Sequence, residues 1–187
     1  MSSDRKATLV GLSVQLIAER GFDSFSFADL AERSGLAKPS IHHHFPTKGH
    51  LALAVLDAID AKFNGFAQQC VQAHGAQALP HFVMGMAQQD WGARICPLAS
   101  MLAEYNVMPP DVQTRLSAVA AREVQTLSDM LQAYAALPGH HLSVPLETAA
   151  RLLISAAKGT LIYGRAAKQA WMAETAGQMV DLLVRQG

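Results

Sequence analysis

The chain has 187 residues, 50% of them hydrophobic, and its 15 basic and 15 acidic side chains cancel to a formal net charge of +0. That length and apolar content suffice for a substantial core in one or two domains, while the neutral charge works against nucleic-acid binding driven by bulk phosphate neutralisation. No apolar stretch approaches the ~20 residues of a membrane helix, and two cysteines, Cys70 and Cys96, do not make a disulfide scaffold.

The opening MSSDRKATLVGL lacks the apolar core and cleavage site of a secretory signal, so a cytoplasmic protein is expected. Ala and Leu dominate, Gly and Pro fall at segment ends, and no β-branched run alternates with polar residues. The pattern predicts an all-α protein of about nine helices.

The first predicted helix runs from Arg5 to Arg20, with Leu9, Leu12, Leu16 and Ile17 on one stripe. Gly21 ends it and Phe22 packs back. Ser26 with Asp29 three residues on is a capping-box pattern, so a second helix starts there. Gly35 stops it, as left-handed glycines do. Lys38 to Phe45 forms a third helix, ended by Pro46. Two short helices around a glycine turn are a helix-turn-helix, whose second helix enters the DNA major groove.

Thr47 caps a long helix from Lys48 to about Val71, with Leu51, Val55, Ile59, Phe63 and Phe66 on one side. Gly49 in its first turn is unfavourable, so something besides propensity must fix that end. Gly75 marks a hinge or boundary. A helix from Leu79 to Trp91 follows, then a short one opened by Cys96-Pro97 and running through Tyr105. Met108-Pro109-Pro110 is a breaker. Further helices are predicted from Asp111 to about Leu137, from Pro145 to about Lys168, and from Met172 to Arg185. Leu142 to Val144 is read as loop, as are His140 and His141 beside Pro138-Gly139.

The stretch AERGFDSFSFADLAERSGLAKPSIHHHFPTKGHLALAVLD resembles the N-terminal domain of the TetR/AcrR family of transcriptional regulators. The resemblance rests on the Ala18-Glu19-Arg20-Gly21-Phe22 helix end, the Asp29-Leu30-Ala31 face, the Gly35 turn and the His44-Phe45-x-x-Lys48 junction. It implies a DNA-binding head over residues 1–47 and a helical ligand-binding and dimerisation body over 48–187, linked by the long helix starting at Lys48. It further implies a homodimer on a palindromic double-stranded operator, acting as a repressor released by a small-molecule effector.

Carried over by position, Lys38, Pro39, Ser40 and His42 fall where the family's recognition helix meets the groove, with His43 beside them. Lys48 falls where a lysine meets a phosphate, and Ser26 and Phe27 at the start of the supporting helix. Pro39 stands where the family has a small residue, often glycine, and His42 where it has tyrosine. Pro39 removes a backbone N–H donor.

Residues 1–62 carry seven basic side chains (Arg5, Lys6, Arg20, Arg33, Lys38, Lys48, Lys62) and seven acidic ones (Asp4, Glu19, Asp23, Asp29, Glu32, Asp57, Asp60). The adjacent histidines His42, His43 and His44 are no metal site, because neighbours on a helix point ~100° apart. One of them is expected to pack beside Phe45. No cofactor is expected.

Cys96 begins the run Cys96-Pro97-Leu98-Ala99, which resembles a subset of these regulators, some of which respond to electrophiles or oxidants. A cysteine at a helix N-terminus has a stabilised thiolate, with Arg94 nearby; a buried, inert cysteine is the alternative. Candidate pocket residues are Met84, Trp91, Cys96 and Met101 in the first half of the body. Tyr105, Met130, Tyr134, Lys158 and Tyr163 follow in the second. Lys158 or Arg94 would meet an anionic ligand or form a structural ion pair.

The last two helices are rich in small residues (Ala149, Ala150, Ala156, Gly159, Ala173, Ala176, Gly177) and are read as the self-association face. An enzyme with Cys96 as nucleophile or a histidine pair as base, and an interaction module that has lost DNA binding, are the competing readings. No Cys/His/Asp spacing, phosphate loop or metal motif supports the enzyme.

Overall fold

The structure is a computed structural model and describes residues 2–88 and 95–187. Nine α-helices are present among them. They are α1 (Ser2–Arg20), α2 (Phe27–Ser34), α3 (Lys38–His44), α4 (Lys48–His74), α5 (Ala78–Ala87), α6 (Pro97–Ala103), α7 (Pro110–Ala135), α8 (Leu146–Ala167) and α9 (Met172–Leu183). Short 3-10 turns follow α4 and α6, at Gly75–Gln77 and Tyr105–Val107. The breakers fall as expected: Gly35 adopts φ +68° after α2, and Met108 is extended ahead of Pro109 and Pro110. Helix α5 ends at Ala87, short of the predicted end at Trp91; Trp91 and Arg94 themselves lie outside the described residues.

The fold is all-α as expected, and one local reading within it needs correction. His140–Leu142 (β1) pairs antiparallel with Val184–Gln186 (β2), opposing His140 to Gln186 and Leu142 to Val184. Residues 140 and 141 are therefore strand rather than loop, and the last helix ends at Leu183. The short ladder is closed by the Gly187 N–H donating to the Gly139 carbonyl at 2.8 Å and the Ser143 N–H to that of Leu183 at 2.9 Å. Neither three-residue run has a period-2 signature, because its pairing comes from a partner far along the chain.

Two compact units divide the chain differently from a cut at residue 47. One comprises residues 1–61 and 95–120, the other 62–94 and 121–187. Helices α4 and α7 each contribute to both. In the first unit Leu9, Leu16, Ile17, Phe25, Leu30, Ile41, Phe45 and Leu51 form a buried core with Leu98, Met101, Val112 and Leu116. Arg115 on α7 donates to Asp57 Oδ1 at 2.8 Å and to the buried Asp60 Oδ2 at 2.9 Å, both on α4. That bond to a buried carboxylate holds α7 against α4 within this unit.

The second unit has its own core of Phe63, Ala67, Leu79, Phe82, Leu127, Leu131, Leu153, Val180 and Leu183. Helix α9 packs closely against both α5 and α8. Ala149, Ala150 and Ala176 are fully buried there, because only a small side chain lets two helix backbones approach. These three serve packing within the chain, while Ala156, Gly159, Ala173 and Gly177 are only half-buried.

Candidate nucleic-acid interface

Ser26 and Asp29 build the start of α2. The Ser26 hydroxyl accepts from the N–H groups of Ala28 at 3.1 Å and Asp29 at 3.4 Å. It donates to Asp29 Oδ2 at 2.6 Å, which also accepts the Ser26 N–H at 2.7 Å. These bonds stabilise the ionised carboxylate and hold Asp29 below its ordinary pKa. Ser26, proposed for DNA, thus has a structural role first.

Between α2 and α3 the left-handed Gly35 turns the chain. Ala37 is the N-cap of α3 and no side chain caps it. Pro39 sits in the first turn, where its missing N–H costs no helical bond. Ile41 is fully buried and keys α3 into the core, which leaves Lys38, Pro39, His42 and His43 exposed, with Ser40 half-buried.

Phe27 and His42 meet directly: their rings lie edge to face with centroids 4.9 Å apart. The unusual histidine therefore helps hold α3 on α2. His44 is the half-buried member of the triplet, 6.5 Å from the Phe45 ring, as expected for one of the three.

The charges around this surface are largely committed within the first unit. Arg33 binds Glu19 through two hydrogen bonds of 2.6 and 3.1 Å, which hold its guanidinium more firmly protonated. Arg20 reaches Asp29 at 3.5 Å. Lys48 does not point freely outward. Its Nζ lies 4.7 Å from the Phe22 ring centre and 4.8 Å from that of Phe25, and donates to the Asp23 carbonyl at 3.1 Å. Burial lowers its pKa, opposed by the charges of Asp23, Glu104 and Asp29. These contacts, with the Thr47 hydroxyl accepting the His50 N–H at 3.3 Å, fix the helix start that Gly49 weakens. Lys38 stands exposed at the edge of α3.

The candidate pocket residues are divided between the two units. Met101 is fully buried in the first core, against which Cys96 and Tyr105 pack. Met130 and Tyr134 belong to the second core. Met84 is 43% and Tyr163 70% exposed. Trp91 lies outside the described residues. Lys158 donates to the buried carboxylate of Glu123, so it forms the structural ion pair of the two roles left open for it. Cys96 is the half-buried N-cap of α6, while Cys70 is buried and its thiol is pushed up in pKa by desolvation.

A residue absent from the sequence reading of this surface is Glu104. Its carboxylate accepts the N–H of Phe22 at 3.1 Å and that of Asp23 at 2.8 Å. No local pattern marks a partner some eighty residues away.

Residues 10–55 match the family of bacterial regulatory proteins called the tetR family. Over 135 residues the chain is 26% identical to the DNA-binding transcriptional repressor TetR of Mycobacteroides abscessus, a match covering 72% of this chain and 62% of that protein. The chain thus matches under two thirds of that relative's length. Among solved structures, a TetR-family transcriptional regulator from Agrobacterium tumefaciens superposes with a TM-score of 0.87 at 20% identity, covering 98% of this chain and 99% of that one. A TetR transcriptional regulator from Chloroflexus aurantiacus gives 0.79 at 21% identity, covering 100% and 98%. At such identities the likeness speaks for the fold.

Proposed function

We propose that the chain is a DNA-binding transcriptional regulator of the TetR family, a reading supported by the match over residues 10–55, and that it acts as a homodimeric repressor, released from a palindromic operator by a small-molecule effector. The observation that carries the reading is the exposed outer face of α3. Lys38, Pro39, His42 and His43 stand clear of a core that Ile41 anchors, on the segment that matches the family. Lys38 and Lys48 serve phosphates, His42 and His43 face base edges, and Ser26, Phe27, Pro39 and Ser40 shape the approach. Phosphate contacts position the head and base contacts give it sequence preference.

A single short recognition helix reads few bases, and a two-fold dimer supplies two half-sites one helical turn or a multiple apart. The dimer surface is the outward face of α8 and α9. Leu152, Ile162 and Tyr163 are exposed on α8, as are Leu182 on α9 and Trp171 at its N-cap. Several large apolar side chains exposed on two adjacent helices favour an association surface there. The effector part rests on family membership. The effector would bind better to the arrangement that cannot hold DNA, as any ligand-driven release requires. Regulation rather than catalysis is the proposed activity. No described helix is long and apolar enough to cross a membrane, and a cytoplasmic location is part of the proposal.

The test is selection of duplexes from a random pool, with gel shifts at low salt. A two-fold symmetric sequence should emerge, and His43→Ala should relax its preference. If neither the pool nor DNA upstream of the protein's own gene is bound at low salt, the reading is wrong.

A further inference from the structure

Resting on the reading above as a DNA-binding regulator, we infer that Glu104 is a positioning residue: it couples the α6 segment to the α1–α2 loop, and so to the DNA-contacting surface. Residues 95–104 sit in the same compact unit as α1 to α3. They are fastened to the end of α1 at two points. The Ile95 N–H donates to the Ala18 carbonyl at 3.1 Å, in the last turn of α1. At the other end of α6, Glu104 receives the Phe22 N–H on Oε1 and the Asp23 N–H on Oε2.

The chain turns at Gly21, where φ is +94°. The turn leaves the Phe22 and Asp23 N–H groups without a helical acceptor, and the carboxylate supplies one. The carboxylate lies close over the turn: a Cβ on Gly21 would fall 2.5 Å from Glu104 Oε1, so Glu104 would have to shift to admit one. The same loop is also held by Lys48, which donates to the Asp23 carbonyl and lies against Phe22 and Phe25. A carboxylate after α6 and an ammonium in the first turn of α4 thus grip one loop, residues 21–23. That loop leads directly into the Ser26 cap of α2, the helix on which α3 rests through Phe27 and His42.

A shift of α6 moves the carboxylate, and the loop must follow or lose two charge-assisted hydrogen bonds. Coupling of this kind is reciprocal, so DNA bound at α3 and Lys48 must alter α6. Cys96, the N-cap of α6, offers a reporter for the far end of the segment.

The experiment uses the full chain carrying Cys70→Ala, which leaves Cys96 as its one thiol, and a duplex selected from a random pool. The rate at which Cys96 reacts with an aromatic disulfide reagent is followed with and without the duplex. Saturating duplex should slow labelling at least about two-fold in the parent. In Glu104→Ala, checked as folded by circular dichroism, the difference should disappear and duplex affinity should fall about five-fold or more. Glu104→Gln, which keeps the shape and one acceptor, should recover part of both; it carries the comparison if the alanine variant does not fold. Unchanged affinity and an unchanged duplex effect in a folded variant would make Glu104 a fold-holding acceptor only and overturn the inference. So would a parent whose labelling ignores bound DNA. A parent that selects no duplex fails earlier, on the regulator reading itself.

Discussion

Ser26 and Asp29 satisfy each other: the hydroxyl donates to the carboxylate at 2.6 Å while the same carboxylate takes the Ser26 N–H at 2.7 Å. The pair also meets the first N–H groups of α2, and it gives the first prediction. Ser26→Ala should cost about 1 kcal/mol of stability, as N-cap removal does. The Asp29 carboxyl has its folded pKa depressed below the ordinary 3.8, so its contribution is present above pH 3.8 and is lost as the pH falls through the folded value. Denaturant melts across pH 2 to 7 should show Asp29→Asn removing part of the acid-side decline. A profile identical to the parent's would contradict the role given to Asp29.

Lys48 has two jobs that can be separated. Lys48→Met keeps an unbranched chain against Phe22 and Phe25 but removes the charge. It should weaken binding to every duplex alike and lower the slope of log affinity against log salt by about one. Gel shifts over a salt series read this directly, and an unchanged slope would exclude a phosphate contact.

The Glu123–Lys158 pair is buried, with side chains 5% and 17% exposed. Truncating one partner leaves the other charge without its counter-ion in the interior. Glu123→Ala should therefore cost about 3–5 kcal/mol in chemical denaturation, and the double variant Glu123→Leu, Lys158→Met should recover most of it. A single-variant loss under about 1 kcal/mol would show the pair to be solvated in solution.

Leu182 is 60% and Tyr163 70% exposed on the outward face of α9 and α8. Leu182→Glu with Tyr163→Glu should leave the helical content and each unit's melting intact but convert the protein to monomers in sedimentation. Affinity for a palindromic duplex should fall with it, while a dimer that persists would place self-association elsewhere.

The sequence by itself determined what depends on a few neighbouring residues. The Ser26–Asp29 box, the left-handed Gly35, the stops at Pro46 and Pro109, and the apolar stripe of Leu9, Leu16 and Ile17 each act within one or two helical turns. All of these appear in the structure where the pattern placed them. The α2–α3 head was legible for that reason.

Only the tertiary structure decided how distant residues meet. It turned Lys48 onto Phe22 and Phe25, set His42 against Phe27, and gave Lys158 to Glu123. It buried Ala149 and Ala176 inside the chain, paired residues 140–142 with 184–186, and brought Glu104 to the loop after α1. Each of these contacts depends on the path of the backbone between its partners, and on which face of a helix the rest of the core leaves outward. A local pattern specifies the helix but not its neighbour, so the same alanines and lysines read equally well as packing or as surface until the fold chooses.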